Sequence, residues 1–187
     1  HSFPTRRSAD LNGGAQPVNF TNFQNLTGNG NDETFSLVGT ATLSGTIDGQ
    51  GGTDTLDYTG YATGVAVELR NNGITSTGVA STVNVERTEA NGGTVIGPDD
   101  DTNWSITGPN TTAVSGPSVA GGTFEADGFA NLQAGAGDDA FAINGGSVAN
   151  LSGGGGNNSL AGDDVNNNWV VDGPDAGSLN GANDFTG

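Results

Sequence analysis

Apolar residues in this chain recur at the two ends of a ten-residue block whose eight central residues are mostly glycine, aspartate, asparagine and other polar types. Four blocks end in Leu or Phe and two end in Trp: Leu26–Phe35, Ile47–Leu56, Leu132–Phe141, Leu151–Leu160, Val95–Trp104 and Leu160–Trp169. Six matching blocks in one short chain indicate an internal repeat. Alternating segments, such as 34–38 and 64–69, predict short strands. No apolar stripe with a helical period reaches three turns, so we expect almost no helix.

The spacing of the blocks predicts how the chain winds. Leu26 and Ile47 are 21 residues apart, and Leu132 and Leu151 are 19 apart. This spacing fits one rung of a parallel β-helix, in which each coil pairs with the next. We therefore predict an all-β, right-handed parallel β-helix with rungs of about 19–21 residues. The side chains expected to point inward are the ends of the four Leu/Phe blocks: Leu26, Phe35, Ile47, Leu56, Leu132, Phe141, Leu151 and Leu160.

A longer period is also present, because Asn103–Pro109 recurs as Asn168–Pro174, 65 residues later. Trp104 and Trp169 occupy matching places in this repeat, and we expect both to be core residues rather than platforms for sugar stacking. Residues 57–94 lie between two blocks and are interpreted as about two inserted rungs. Residues 12–187 are thus predicted to form a single repeat domain.

The two ends of the chain differ from the repeat. Residues 1–11 hold the only histidine and two of the four arginines, and they resemble the translation of a sequencing-adapter oligonucleotide. We expect this segment to be an artefact without ordered structure. The other end stops in the middle of a repeat, so residues 12–187 are interpreted as a fragment truncated at both ends.

The amino-acid composition excludes several classes of function. Leu, Ile, Val and Phe make up about a fifth of the residues, which is too little apolar material to cover both faces of an α/β sheet. Lys and Arg together number 4 against 21 Asp and Glu, and the formal net charge is −17. So few cations cannot form a basic patch, which excludes nucleic-acid binding. No apolar run is long enough for a membrane span.

The blocks resemble the calcium-binding nonapeptide of RTX proteins, G-G-x-G-x-D-x-U-x. Block 132–141 keeps Gly135, Gly137, Asp139 and Phe141, whereas block 151–160 has Asn158 at the acidic position. Carboxylate and carbonyl oxygens are the ligands that Ca²⁺ prefers. The resemblance therefore implies calcium ligands at Asp32, Glu33, Asp54, Asp138 and Asp139. The alternative is that these blocks are solvated Asx-type turns, stabilised by their own side-chain hydrogen bonds.

The acidic run Asp99–Asp101, close to Trp104 in the sequence, is a second candidate functional site. Glycoside cleavage requires two carboxylates held at a defined separation, and nothing in the sequence imposes such a pair. The only histidine lies in the adapter-like segment, so a Ser-His-Asp triad is excluded too. We predict that the chain is not an enzyme.

In the style of their repeats, residues 12–187 resemble the repeat regions of haemagglutinin-like and RTX-like β-solenoid adhesins. The resemblance implies an extracellular or cell-surface location in bacteria, and the lack of cysteine is compatible with export. The expected partners are the rest of the parent repeat protein and host or matrix glycans. Three hypotheses follow: a structural or adhesive repeat segment, a calcium-dependent folding module, and a fragment of a carbohydrate-active β-helix enzyme.

Overall fold

The structure is a computed structural model that describes residues 20–187. The adapter-like segment 1–11 and residues 12–19 lie outside the described residues. The described part is all-β, as predicted, and contains no helix, so it has no helix that could cross a membrane. Its strands are β1 (Leu26–Asn29), β2 (Thr34–Ser36), β3 (Leu43–Gln50), β4 (Thr55–Asp57), β5 (Val65–Arg70), β6 (Gly73–Ser76), β7 (Val79–Val83), β8 (Arg87–Glu89), β9 (Gly93–Ile96), β10 (Asn103–Gly108), β11 (Thr111–Ser115), β12 (Thr123–Asp127), β13 (Asn131–Gln133), β14 (Ala140–Ile143), β15 (Asn150–Ser152), β16 (Ser159–Ala161), β17 (Trp169–Gly173), β18 (Ala176–Leu179) and β19 (Ala182–Thr186).

The strands form two mixed sheets. The larger sheet has the order β1-β3-β7-β6-β5-β9-β13-β15-β19-β18-β17, and the smaller sheet has the order β16-β14-β10-β11-β12-β8-β4-β2. Most pairs of strands with a long sequence separation are parallel, and the chain passes from one sheet to the other between them. This alternation between sheets places successive polar turns at corresponding positions, where they can contact each other.

The strand register confirms the spacing of the repeat. Leu26 pairs with Ile47 and Leu132 pairs with Leu151, both in parallel strands of the larger sheet. The other ends of the same blocks pair in the smaller sheet, Phe35 with Leu56 and Phe141 with Leu160. Residues in register on neighbouring strands lie on the same face of a sheet. Matching block ends therefore form apolar ladders, as the sequence predicted.

The core runs between the two sheets and is built from these ladders. Ile47, Leu56, Leu132, Phe141 and Leu151 are buried. The remaining predicted inward residues, Leu26, Phe35 and Leu160, are only half-buried and pack against the core. They belong to β1, β2 and β16, which are terminal in their sheets among the described residues, so they have a neighbouring level on one side only.

Residues 57–94 depart from the expected two simple rungs. They contain an antiparallel meander, because β5 pairs with β6 and β6 pairs with β7 in opposite directions. Only two residues, Asn71 and Asn72, separate β5 from β6. A parallel connection needs a long crossover, so a two-residue loop between paired strands must produce a hairpin.

The 65-residue repeat is also an antiparallel meander. It appears first as β10–β12 in the smaller sheet and then as β17–β19 in the larger sheet. Trp104 in the first copy is buried, as predicted, and its ring stacks on Phe141 with a centroid distance of 5.3 Å. The prediction of a core position is wrong for Trp169, which is 43% exposed. The smaller sheet ends at β16 and has no described strands opposite the second meander to bury it.

Candidate functional site: two stacks of acidic turns

All five predicted metal ligands lie in turns that lead from the larger sheet to the smaller one. These turns form two groups. The first turn stack consists of residues 30–33, 51–54 and 84–86, and the second turn stack consists of residues 97–102, 134–139 and 153–158. The two stacks are separated by β5 and β6 in the larger sheet and by β11 and β12 in the smaller sheet. Each stack can therefore be considered by itself.

In the first turn stack, side chains of one turn bind the backbone of the turn before it. Asp54 accepts a hydrogen bond from the backbone N–H of Glu33, with 2.7 Å between N and Oδ1. Glu86 accepts one in the same way from the N–H of Asp54, at 2.9 Å. Within the first turn itself, the backbone N–H of Asn29 donates to Glu33 Oε2 at 2.9 Å. Hydrogen bonds from N–H to an ionised carboxylate are stronger than neutral ones, so this series connects three levels of the fold.

The second turn stack repeats the arrangement. Asp139 accepts hydrogen bonds from the backbone N–H of Thr102, at 2.8 Å, and from the Thr102 hydroxyl. Asn158 accepts one from the N–H of Asp139, also at 2.8 Å. The Trp104 indole donates to the Thr102 hydroxyl at 2.7 Å. The buried ring of Trp104 is thereby connected to the turn stack through Thr102.

A second series of bonds runs in the opposite direction, one residue earlier in the blocks. The carboxylate of Asp32 accepts from the N–H of Thr53 at 2.7 Å, and that of Asp138 accepts from the N–H of Asn157 at 2.7 Å. Asp101 accepts from the N–H of Asp138 at 2.8 Å. Neighbouring turns are therefore joined by acidic side chains from both sides. The Asx-type interpretation expected bonds within a turn, and such bonds are present, for example from the N–H of Asn31 to Asn29 Oδ1 at 3.1 Å; the bonds between turns are additional to them.

The glycine at the third position of a block makes room for the acidic or amide side chain at the eighth. A Cβ added to Gly49 would lie 2.3 Å from Asp54 Oδ2 and 2.0 Å from the carbonyl oxygen of Asn84. At Gly28 it would lie 2.3 Å from Glu33 Oε2, and at Gly153 it would lie 2.8 Å from Asn158 Nδ2. The glycine is therefore required by close packing within its own turn and, at Gly49, against the backbone of the next turn as well.

Two carboxylate oxygens in these stacks have no hydrogen-bond partner among the described residues. They are Oδ2 of Asp54 and Oδ2 of Asp139, and both residues are 1% exposed or less. An unpaired buried carboxylate oxygen carries a large desolvation cost. These two atoms are therefore the positions in the turn stacks where a cation or another donor would bring most stability.

The predicted ligands do not converge on one point. Glu33 and Asp54 lie in adjacent turns and are joined by a hydrogen bond, as are Asp139 and Asn158, in agreement with the block spacing. Within residues 20–187, however, no three His, Cys, Asp or Glu side chains form a group that could hold a metal ion. Each of the five predicted ligands instead accepts a hydrogen bond from the protein. Calcium binding stays a prediction.

The acidic run at 99–101 is part of the second turn stack. Asp100 accepts a hydrogen bond from the Ser118 hydroxyl, and Asp101 is held by the N–H of Asp138. At least two of the three carboxylates in this run thus support neighbouring backbone or side chains.

Sequence reasoning missed Glu86 and Asn84 in this region. Glu86 was not recognised because the turn at 84–86 is too short to match a block, although it precedes β8 as Asp54 precedes β4. Asn84 in the same turn donates to Asp48 Oδ1 at 2.8 Å, and this bond lowers the pKa of the Asp48 carboxyl. The alignment of Glu86 with Asp54 immediately before a strand is the signal that would have found it.

Tyr58 was also missed, because it is not repeated. It follows β4 and is 1% exposed, and its hydroxyl lies 2.7 Å both from Ser76 Oγ and from the carbonyl oxygen of Thr77. Burial raises the pKa of Tyr58 to about 12. Its role is to anchor the β5–β7 meander to the core.

Comparison of the chain with protein-family models, with curated proteins and with solved structures finds no match.

Proposed function

We propose that this chain is a structural segment of a right-handed parallel β-solenoid, serving as a spacer in a large secreted or cell-surface bacterial protein of the adhesin type. The observation that carries the proposal is the bonding between turns. The conspicuous acidic side chains, such as Asp54 and Asp139, are directed at the backbone of neighbouring turns. Residues used in this way join one level of the fold to the next.

Such bonding suits a segment that transmits load along a stack of repeats. A repeat unit cannot bury its own apolar face, so its stability comes from contacts with its neighbours. In this chain those contacts are apolar ladders inside and hydrogen-bonded turns at the edge. The combination supports a mechanical role.

The spacer role can be tested by pulling single molecules from their two ends. We expect the unfolding force of the wild-type chain to fall in Asp139→Ala, because this change removes the bonds to the Thr102 backbone and hydroxyl. Asp164→Ala is the matched control, since Asp164 is an exposed turn residue outside both turn stacks. Equal unfolding forces in the two variants would contradict a mechanical function of the turn stacks.

An adhesive role for this segment makes a different prediction. If the segment itself binds host or matrix glycans, the isolated chain should show saturable binding to a glycan array. A pure spacer shows none, because the binding domains lie elsewhere in the parent protein. Saturable micromolar binding would replace the spacer proposal with the adhesive one.

A calcium-dependent folding module is the second candidate, and the two unpartnered buried oxygens favour it. Ca²⁺ would satisfy Asp54 Oδ2 and Asp139 Oδ2 with oxygen ligands of the kind it prefers. Because Asp54 lies next to Glu33, whereas Asp139 has the neutral Asn158 beside it, the first turn stack should bind Ca²⁺ more tightly. Binding to the folded form alone would raise its stability with ion concentration.

The calcium candidate is tested by thermal melts at constant ionic strength, with Ca²⁺ exchanged against Na⁺. We expect the melting temperature of the wild-type chain to rise with Ca²⁺, and Asp54→Asn to lose more of this rise than Asp139→Asn. Equal and millimolar-weak responses in all three proteins would mean ordinary charge screening. The turn stacks would then be purely structural.

A further inference from the structure

The chain divides into two parts at residues 90–92, which connect β8 to β9. The strands before this link, β1–β8, are contiguous in both sheets, and so are the strands after it, β9–β19. Residues 20–89 are called the first unit and residues 93–187 the second unit. The units meet at one pair of strands in each sheet, β5 with β9 in the larger sheet and β8 with β12 in the smaller one. The division along the chain is therefore also a division in space.

Each turn stack belongs to a single unit, the first turn stack to the first unit and the second turn stack to the second. The hydrogen bonds that join neighbouring turns, such as those accepted by Asp54 and Asp139, therefore stay inside a unit. Among the described residues, Arg87 makes the only side-chain hydrogen bonds and ion pairs that cross the boundary, to Glu125 and Asp127. Ion pairs of partly exposed side chains contribute little and weaken with salt. The boundary thus lacks the bonded turns that reinforce the levels within each unit.

The first unit has polar side chains at two core positions next to this boundary. Ile47 is in register with Thr82, and Leu56 is in register with Thr88. Both threonines are 1% exposed or less, and their hydroxyls have no hydrogen-bond partner among the described residues. A buried hydroxyl without a partner lowers stability, because it loses its bonds to water and gains none in the fold. Two apolar ladders of the first unit therefore continue into unfavourable positions.

The core of the second unit is better satisfied. Its buried Thr112 donates a hydrogen bond to the carbonyl oxygen of Ser105 at 3.2 Å, and its buried Trp104 stacks on Phe141. Within the described part of the second unit, Asp139 Oδ2 is the only buried side-chain oxygen or nitrogen without a partner, whereas the first unit has Asp54 Oδ2 in addition to its two hydroxyls. We therefore expect the first unit to be the less stable of the two.

We propose that the two units unfold one after the other, the first unit at lower load, so that the chain contains its own yielding element. This inference rests on the proposed spacer function, because sequential yielding matters in a segment under tension. Unfolding of the first unit lengthens the chain and limits the force that reaches the second unit, which keeps its structure. In repeat proteins the stability of each block depends on its own contacts and on the interface to the next block, which permits such a sequence.

The chain carries a separate spectroscopic probe for each unit. Both tyrosines, Tyr58 and Tyr61, lie in the first unit, and both tryptophans, Trp104 and Trp169, lie in the second. The experiment is urea unfolding of the full chain, followed in parallel by tyrosine absorbance and by tryptophan fluorescence. We expect the tyrosine transition at a lower urea concentration than the tryptophan transition. Coincident transitions would indicate one cooperative unit and would overturn the proposal.

Substitution of the two unpartnered threonines tests why the first unit yields first. Thr82→Val combined with Thr88→Val keeps the β-branched shape and removes both hydroxyls, so the tyrosine transition should rise by about 0.5–1 M urea while the tryptophan transition stays in place. Thr112→Val is the matched control, because this buried hydroxyl has a partner in the second unit. It should lower the tryptophan transition and leave the tyrosine transition unchanged. Thr88→Val alone replaces the double variant if that protein does not fold, and equal shifts of both probes would contradict two separate units.

This test is independent of the test of the spacer function. If the two transitions coincide while Asp139→Ala still lowers the unfolding force relative to Asp164→Ala, the spacer function stands and the division into units falls. If the transitions are separate but those two variants unfold at equal force, the division stands and the mechanical function falls.

Discussion

Gly49 illustrates how one residue determines whether two turns can stack. A side chain at this position would collide with the backbone oxygen of Asn84 and with the Asp54 carboxylate, whose other oxygen accepts the hydrogen bond from Glu33 that joins two levels of the first turn stack. The glycine is therefore needed for space between neighbouring levels of the fold. At Gly28 an added Cβ would likewise meet the carbonyl oxygen of Gly49 in the next level, whereas at Gly153 it would meet only Asn158 of the same turn.

Gly49→Ala should consequently be among the most destabilising single changes in the chain. We expect a loss of about 3 kcal/mol or more in the free energy of unfolding, because a backbone contact must be broken. Gly30→Ala is the control, since a Cβ at Gly30 meets nothing within 4 Å, and it should change stability by less than about 0.5 kcal/mol. Denaturant unfolding measures both. Similar losses in the two variants would show that the close approach is not what requires glycine.

Because of Tyr58, the free energy of unfolding should depend on pH in the alkaline range. Burial raises its pKa from 10 to about 12, so the folded state keeps the proton that the unfolded state loses first. The stabilisation is complete below pH 10 and is lost as the pH rises toward 12, by up to about 2–3 kcal/mol. Tyr58→Phe should reduce this pH dependence in denaturant unfolding curves. Tyr61→Phe, which affects a bond to the carbonyl oxygen of Ala41, should retain it.

At the scale of the strands, the outer face of the smaller sheet carries a row of like charges. Glu89 of β8 is in register with Asp57 of β4 on one side and with Asp127 of β12 on the other. Arg87 forms ion pairs with Glu89 at 3.2 Å, with Glu125 at 3.5 Å and with Asp127. One cation thus compensates carboxylates from two strands that would otherwise repel each other.

Arg87→Gln should therefore weaken the pairing of β8 with β12. We expect a loss of about 1–2 kcal/mol at low salt, because the side chain is partly buried and pairs with several carboxylates. Arg70→Gln removes one exposed pair with Glu68 and should change stability by less than about 0.5 kcal/mol. Urea unfolding at low and high salt measures both effects. A loss from Arg87→Gln that does not shrink with salt would contradict the electrostatic explanation.

For the whole molecule, the net charge of −17 opposes compaction. The only arginines among residues 20–187 are Arg70 and Arg87, so most of the carboxylates have no cationic partner. We expect the melting temperature to rise with NaCl up to physiological ionic strength, where the Debye length is about 8 Å. Differential scanning calorimetry in chloride salts of Na⁺ and K⁺ measures this effect. A sharp melting transition that does not change with salt would contradict self-repulsion as a limit on stability.

How much could be predicted from sequence differs between the parts of the fold. The pairings of Leu26 with Ile47 and of Leu132 with Leu151 were predictable, because the repeat spacing determines which residues meet. The adjacency of Glu33 and Asp54 followed from the same spacing. Glu86 was not predictable in this way, because its turn lacks the block pattern and joins the stack only after the β5–β7 meander brings β7 beside β3.

The sequence by itself determined the all-β character, the parallel pairing of the blocks and the positions of the acidic turns, since these depend on local alternation and on spacing along the chain. The tertiary structure decided which apolar residues are covered. Trp104 and Trp169 have similar local sequences, yet only Trp104 is enclosed, because β10 has a described strand on both of its edges, whereas β17 has one on a single edge, β18. Burial depends on neighbours that are distant in sequence, and a repeat motif specifies the strand without specifying whether those neighbours are present.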